Sequence, residues 1–206
     1  MGSRFPALRL VLALVVAVLG YPVGRAAAEA AAIAEPPDRL PKNRVDQGRN
    51  IDFLFEALKA APDDESAKVV ENRIWALWFA SGSDTADLLM SRVKTATDDK
   101  ELDLAIELLD KIIVVKPDYV EAWNRRATLY FMKKDYGRSI ADIAQVLSRE
   151  PRHFGALTGL GTILQELGDD RHALEIYRRA LAVYPRLQKV PDLIKTLSEK
   201  VEGRDI

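Results

Sequence analysis

The chain has 206 residues, with 30 Lys and Arg against 31 Asp and Glu, two histidines and no cysteine. Its 48% hydrophobic and 30% charged residues describe an ordinary folded protein and exclude wholesale disorder. The missing thiols exclude disulfide frameworks, thiolate zinc or iron–sulfur sites, a thiol nucleophile and a lipoprotein anchor. The near-neutral charge gives no electrostatic reason to expect nucleic acid.

Residues 1–28 begin with Arg4 and Arg9, continue in an apolar run from Leu10 to Leu19, and break at Gly20 and Pro22. Ala26, Ala27 and Ala28 then supply the small residues that a signal peptidase reads. The pattern predicts a secretory signal peptide cleaved near Ala28, with an uncleaved anchor as the alternative. The apolar run falls short of the roughly 20 residues that a spanning helix needs, so no stable membrane insertion is expected after cleavage. Cleavage removes Arg4, Arg9 and Arg25 and no acid, which leaves 27 basic against 31 acidic side chains, a net of −4. The mature chain is expected to be a mildly acidic periplasmic or secreted protein. Residues 29–49 are Ala-rich and then carry Pro36, Pro37 and Pro41 among charges, a composition that reads as a flexible tether.

Residues 50–85 read as a hairpin: a helix over Asn50–Ala61, a turn at Pro62-Asp63-Asp64, and a longer helix over Glu65–Ala80. Trp75 and Trp78 fall in that second helix, where aromatic residues at helical spacing are expected to pack. Beyond it, Pro117, Pro151 and Pro185 stand 34 residues apart, each between two apolar helical patterns. Proline ends a helix, so each marks the same kind of boundary, and the period is that of stacked helical hairpins. The units are 86–119, 120–153 and 154–187.

Laid on the pattern W-x2-L-G-x2-Y…A-x3-F…P, these units resemble the tetratricopeptide repeat (TPR) family. The matching positions are Leu89, Arg92, Val93, Ala96, Ala105, Leu109 and Pro117 in the first unit. In the second they are Trp123, Arg126, Ala127, Tyr130, Ser139, Ile143 and Pro151. In the third they are Leu157, Leu160, Gly161, Leu164, Ala173, Tyr177, Ala180 and Pro185. Arg92 and Arg126 depart from the pattern, and their stems are expected to pack while their heads reach water. The resemblance implies an all-α, right-handed superhelical array of antiparallel hairpins, a TPR solenoid.

Local chemistry agrees with that expectation. Asp135 and Asp169 stand where second helices begin and are expected to cap them, and Gly168 suits a left-handed helix end. Asp118 and Glu121 have capping-box spacing. Aligning Ala67 with Ala105 gives a spacing of 38, so 50–85 is expected to be a divergent N-terminal capping repeat. Residues 188–206 carry an amphipathic helix over Asp192–Val201, polar outward and apolar toward the stack, as a C-terminal cap requires.

Catalytic candidates are sparse. The pairs Asp63-Asp64, Asp98-Asp99 and Asp169-Asp170 are expected to cap helices rather than work as acid and base. Gly155, Gly159 and Gly161 follow no strand and lack the lysine of a phosphate loop. His153 and His172 have no second histidine at helical spacing, so no metal and no cofactor is expected. The resemblance implies a non-catalytic scaffold that binds a peptide or partner protein in a concave groove. The groove positions it implies include Met90 and Lys94, then Glu121, Asn124, Thr128, Phe131 and Met132, then Thr158, Thr162 and Gln165. The family's carboxylate clamp is missing, since Met90, Lys94, Arg125, Gly155 and Gly159 stand at its positions. Exported relatives imply a role in envelope assembly or maturation. The rival reading is a self-associating module, a homo-oligomer joined through the convex face or the Trp75/Trp78 helix.

Overall fold

Cap and turn chemistry divides the chain into short helices of nearly equal length. The computed structural model describes residues 44–203, and among these it contains nine helices and no strand. α1 (Arg44–Ala60) and α2 (Asp64–Phe79) form the first hairpin. α3 (Asp84–Asp98) pairs with α4 (Leu102–Val115), α5 (Val120–Met132) with α6 (Tyr136–Arg149), and α7 (Phe154–Glu166) with α8 (Asp170–Val183). α9 (Val190–Val201) then packs on α8. The signal-like segment and residues 29–43 lie outside the described residues. α1 starts at Arg44, inside the segment read as tether, beyond the last proline, Pro41, and runs through Gly48.

Each repeat hairpin turns through one left-handed residue: Lys100 (φ 63°), Lys134 (φ 58°) and Gly168 (φ 81°), spaced 34 apart. The amide after each reaches back five residues, from Glu101 to the Ala96 carbonyl, Asp135 to Tyr130 and Asp169 to Leu164, at 2.8–2.9 Å. That bond closes the preceding helix and starts the next. Only Gly168 carries the sequence signal for it; the two lysines accept the strained conformation because the closure is repeated.

Asp135 and Asp169 cap α6 and α8, accepting the Arg138 and His172 amides at 3.1 and 3.3 Å, and Asp63 caps α2 through Ser66 at 2.8 Å. Elsewhere the acids play other parts. Asp99 closes the end of α3, and α4 begins at Glu101 with no side-chain cap. α5 begins at Tyr119, which makes no side-chain cap bond, and Glu121 is buried against Asn124.

Within hairpins, small residues set the approach. A Cβ on Gly161 would lie 2.6 Å from the Tyr177 ring, which fills that space instead. Ser139, buried, donates its hydroxyl to the Ala127 carbonyl at 2.7 Å across α5 and α6. Between hairpins, the Arg126 head, 16% exposed, is tied to carboxylates rather than left to water alone. It pairs bidentately with the buried Asp142 carboxylate at 2.7 Å and with Asp110 of the preceding hairpin at 2.6 Å. Those bonds hold its guanidinium charged well above the ordinary arginine range, against the opposing effect of burial. Arg92, its counterpart one repeat earlier, is exposed.

The first hairpin departs from a stacked repeat. Leu54, Phe55, Leu58, Ala67, Ile74 and Trp78 form one apolar cluster with Phe154 at the start of α7 and Tyr184 after α8. The cluster around α3 and α4 contains no residue of α1 or α2. The polar contacts agree: Arg152 donates to Asp52 at 2.7 Å, Tyr184 to Glu71 at 3.1 Å, and Arg186 to the Ala61 carbonyl at 2.9 Å and to Asp64 at 3.0 Å. Residues 50–85 are therefore not a cap on the first repeat. Ala80–Ser83 joins the hairpin to α3 while its apolar side faces α7 and the end of α8. Trp75 and Trp78 pack, as their spacing suggested.

Three outcomes test this framework. Gly161→Ala should lower unfolding free energy by about 1–3 kcal/mol, because overpacking against Tyr177 outweighs the gain in helix propensity. Lys134→Gly should raise it by up to about 1 kcal/mol by relieving the left-handed backbone. Asp142→Ala should cost about 3 kcal/mol, since Arg126 then loses its buried partner. Denaturant unfolding of each variant measures all three. The cap acids add a pH dependence. Asp135 and Asp169 are held below the ordinary carboxyl range chiefly by Arg138 and by His172, and Asp63 by the Ser66 amide. A carboxyl depressed by folding stabilises above its unfolded value and loses that contribution as pH falls. Stability should therefore decline below about pH 4, and less steeply in Asp135→Asn/Asp169→Asn.

Candidate functional site

The inner face of the array is built on the first helices of the hairpins, and its centre is His153. This ring caps α7: Nδ1 accepts the Ala156 amide at 3.0 Å, so the neutral ring carries its proton on Nε2. Nε2 lies 3.5 Å from the Glu121 carboxylate on α5. Trp78 stacks on the imidazole with centroids 3.9 Å apart and planes at 13°. Trp75 meets His153 and Phe154 edge-on, each at 5.5 Å, and stacks on Phe79. Gly155 permits this, since a Cβ there would come within 3.0 Å of the Trp75 ring. Tyr119 completes the seam by donating to the Phe79 carbonyl at 2.9 Å, and burial raises its phenol above the usual range.

Glu121 is only 2% exposed. It accepts both bonds from the Asn124 amide, at 3.1 and 3.2 Å, and faces Arg125 Nε at 3.5 Å. Its carboxylate orders α5 and the cap of α7 more than it offers a free contact. Arg125 lies over the Phe79 ring at 5.1 Å.

α2 covers the N-terminal ends of α5 and α7, and beside it two clefts open on the inner face. One, of about 450 Å³, runs between α2 and α3/α5; its walls include Asn72, Trp75, Phe79, Val93, Thr97, Arg125, Leu129 and Met132. The other, of about 170 Å³, lies over α5, α6 and α7, with Phe131, Ser139, Ile143, Gly155, Thr158, Gly159, Thr162 and Ile163 around it. Asn124 and Thr128 line both, so the two meet along α5.

Six of the residues implied by the resemblance thus lie together on an open wall: Asn124, Thr128, Phe131, Met132, Thr158 and Thr162. Gln165 sits beside them, accepting from Tyr177 at 3.0 Å. Glu121 reaches the larger cleft but is committed to its partners. Met90 packs into the α3–α4 core, and Lys94 pairs with Asp98 at the surface; neither lines a cleft. Sequence reasoning missed Asn72, Phe79 and Arg125 as walls. Asn72, Trp75 and Phe79 stand at i, i+3 and i+7, a face of α2 whose destination depends on where the hairpin docks.

Among the described residues, no group of three or more His, Asp or Glu is placed to hold a metal ion. No described helix is long and apolar enough to cross a membrane. The chemistry present is that of a contact surface: aromatic walls, hydroxyls, the amides of Asn72 and Asn124 and the Arg125 guanidinium.

Comparison with known proteins agrees with this architecture. A tetratricopeptide repeat model matches residues 120–153 and 154–186, which are the hairpins α5/α6 and α7/α8. A TPR repeat-containing protein of Rhizobium etli is 42% identical over 163 residues, covering 79% of this chain and 77% of its own. Among solved structures, the first TPR of Spaghetti (RPAP3) bound to an HSP90 peptide superposes with a TM-score of 0.55. It shares 19% identity over 58% of this chain and 95% of that one. MamA superposes at 0.54 with 20% identity, over 79% of this chain and 82% of that one. Periodicity, closure bonds and these likenesses converge: the chain belongs to the tetratricopeptide repeat family.

Proposed function

We propose that this protein is an exported, non-catalytic scaffold that holds a segment of a partner protein on the open part of its inner face. The observation that carries the reading is the continuity of the two clefts along α5, where Asn124 and Thr128 belong to both. An extended segment laid there meets apolar surface at Phe131, Leu129 and Met132 and amide chemistry at Asn124, the combination that peptide grooves use. Similar folds have been solved with bound peptides, of HSP90 on the Spaghetti domain and of Hsp70 on TPR2B of yeast Sti1. The ligand here is not of the clamp type, because Met90, Gly155 and Gly159 stand at clamp positions and Lys94 is paired with Asp98.

Export rests on residues 1–28, whose basic start, apolar run and alanines form a signal sequence. A periplasmic or secreted site of action and a role in envelope assembly or maturation follow from that reading. No cofactor is needed for it, and nucleic acid is not its partner. Self-association of the closed chain through Trp78 is the weaker reading, since that side chain is 7% exposed while its own hairpin stays docked.

The test places a photo-crosslinking residue at Phe131, with a control at Gln145 on the outer side of α6, in the native host. Adducts from position 131 alone are expected, and mass spectrometry then identifies the partner. Adducts from 145 alone would refute the groove. With the partner in hand, Thr158→Arg should weaken binding at least about tenfold, or roughly 1.4 kcal/mol, by filling the smaller cleft. Fractionation of cells should find the mature chain, beginning near residue 29, outside the cytoplasm.

A further inference from the structure

The first hairpin is covalently joined to one end of the array and packed on the other. Its tether to α3 is Ala80–Ser83, with Gly82 at φ 69°. Its apolar cluster reaches Phe154 and Tyr184, and its polar bonds reach Arg152, Tyr184 and Arg186, more than 70 residues along the chain. Between α2 and α3 lies the larger cleft rather than a packed seam. Leu88 on α3 is 59% exposed, whereas Ala122, one repeat later, is fully buried by its neighbour. The hairpin is thus docked where its connection does not require it to be docked by its own chain.

From this we infer that the surface formed by His153, Phe154, Tyr184 and Arg186 is an exchange site that also takes the α1–α2 hairpin of a second copy. Opening at Ala80–Ser83 separates α2 from α3 without breaking an apolar cluster shared by them. The same contacts then form between chains: Trp78 on His153, Asp52 on Arg152, Glu71 on Tyr184 and Asp64 on Arg186. Because the contacts are identical, the balance between one chain and two is set by the linker and by concentration. A four-residue linker gives the hairpin an effective concentration on the order of millimolar at its own site, so the exchanged dimer grows as protein concentration approaches that range. The smaller cleft, over α5, α6 and α7, has no wall from the moving hairpin, whereas the larger one takes Asn72, Trp75 and Phe79 from it and re-forms only when a hairpin is docked.

The chain has no cysteine, so introduced thiols report without background. Asp52→Cys and Arg152→Cys are made in separate full-length chains, which are mixed, concentrated and treated with a short bis-maleimide. A covalent heterodimer joined at 52 and 152, rising with concentration, is expected. The double variant in one chain gives the internal link at low concentration. Deleting Gly82-Ser83 should strain internal docking and convert the protein to a dimer at micromolar concentration, read by light scattering. Adding several Gly-Ser residues there should restore the monomer. Absence of the 52–152 heterodimer at about millimolar concentration, or a shortened-linker chain that remains folded and monomeric, would overturn the inference.

Discussion

The stack of Trp78 on His153 is the contact on which the molecule's inner face depends. One imidazole does three things at once. Its Nδ1 closes the start of α7, its face carries the indole of α2, and its Nε2 points toward the buried Glu121 of α5. These join helices from three hairpins at a point with no solvent access. The cap is an accepted bond: the Ala156 amide donates to Nδ1 at 3.0 Å. The aromatic surroundings, Trp75, Phe154 and Phe55, add area and edge-to-face contact around it.

That anchor decides which part of the concave surface can act. A plain TPR array exposes the whole inner face of its first helices. Here α2 occupies the end formed by Phe154 and Gly155, and the open surface contracts to the clefts along α5 and over α7 from Gly155 to Ile163. The repeats themselves are held in register by a different device, the Arg126 bridge from Asp110 to Asp142. Small residues under large aromatics, such as Gly161 beneath Tyr177, then fix the distance between paired helices. The face is packed where α2 docks and open beyond it.

The repeat core was legible because its signals are local. Prolines at a period of 34, small residues at close approaches and the caps Asp135 and Asp169 each describe contacts within about one repeat. What could not be read depends on separations of about a hundred residues. Nothing around Trp78 distinguishes packing on α3 from packing on His153, and nothing around Arg186 names Ala61 and Asp64 as its partners. The same limit explains the groove. Asn124, Phe131 and Thr158 were reachable by repeat position, whereas Phe79, Arg125 and Asn72 became walls only through the long-range docking of α2. Lys100 and Lys134 were missed for a local reason: lysine rarely adopts the left-handed backbone, so its presence at a turn gives no signal.

The central claim is that α2 docks on the start of α7, and a double-mutant cycle between Trp78 and His153 tests it most directly. Trp78→Leu keeps a hydrophobic side chain, and His153→Asn keeps a cap for α7. The two positions are 75 residues apart in sequence and stacked in the structure. The expected coupling in unfolding free energy is about 0.5–1.5 kcal/mol. Additivity within about 0.3 kcal/mol, the behaviour of distant sites, would contradict the docking and return the first hairpin to an ordinary end cap.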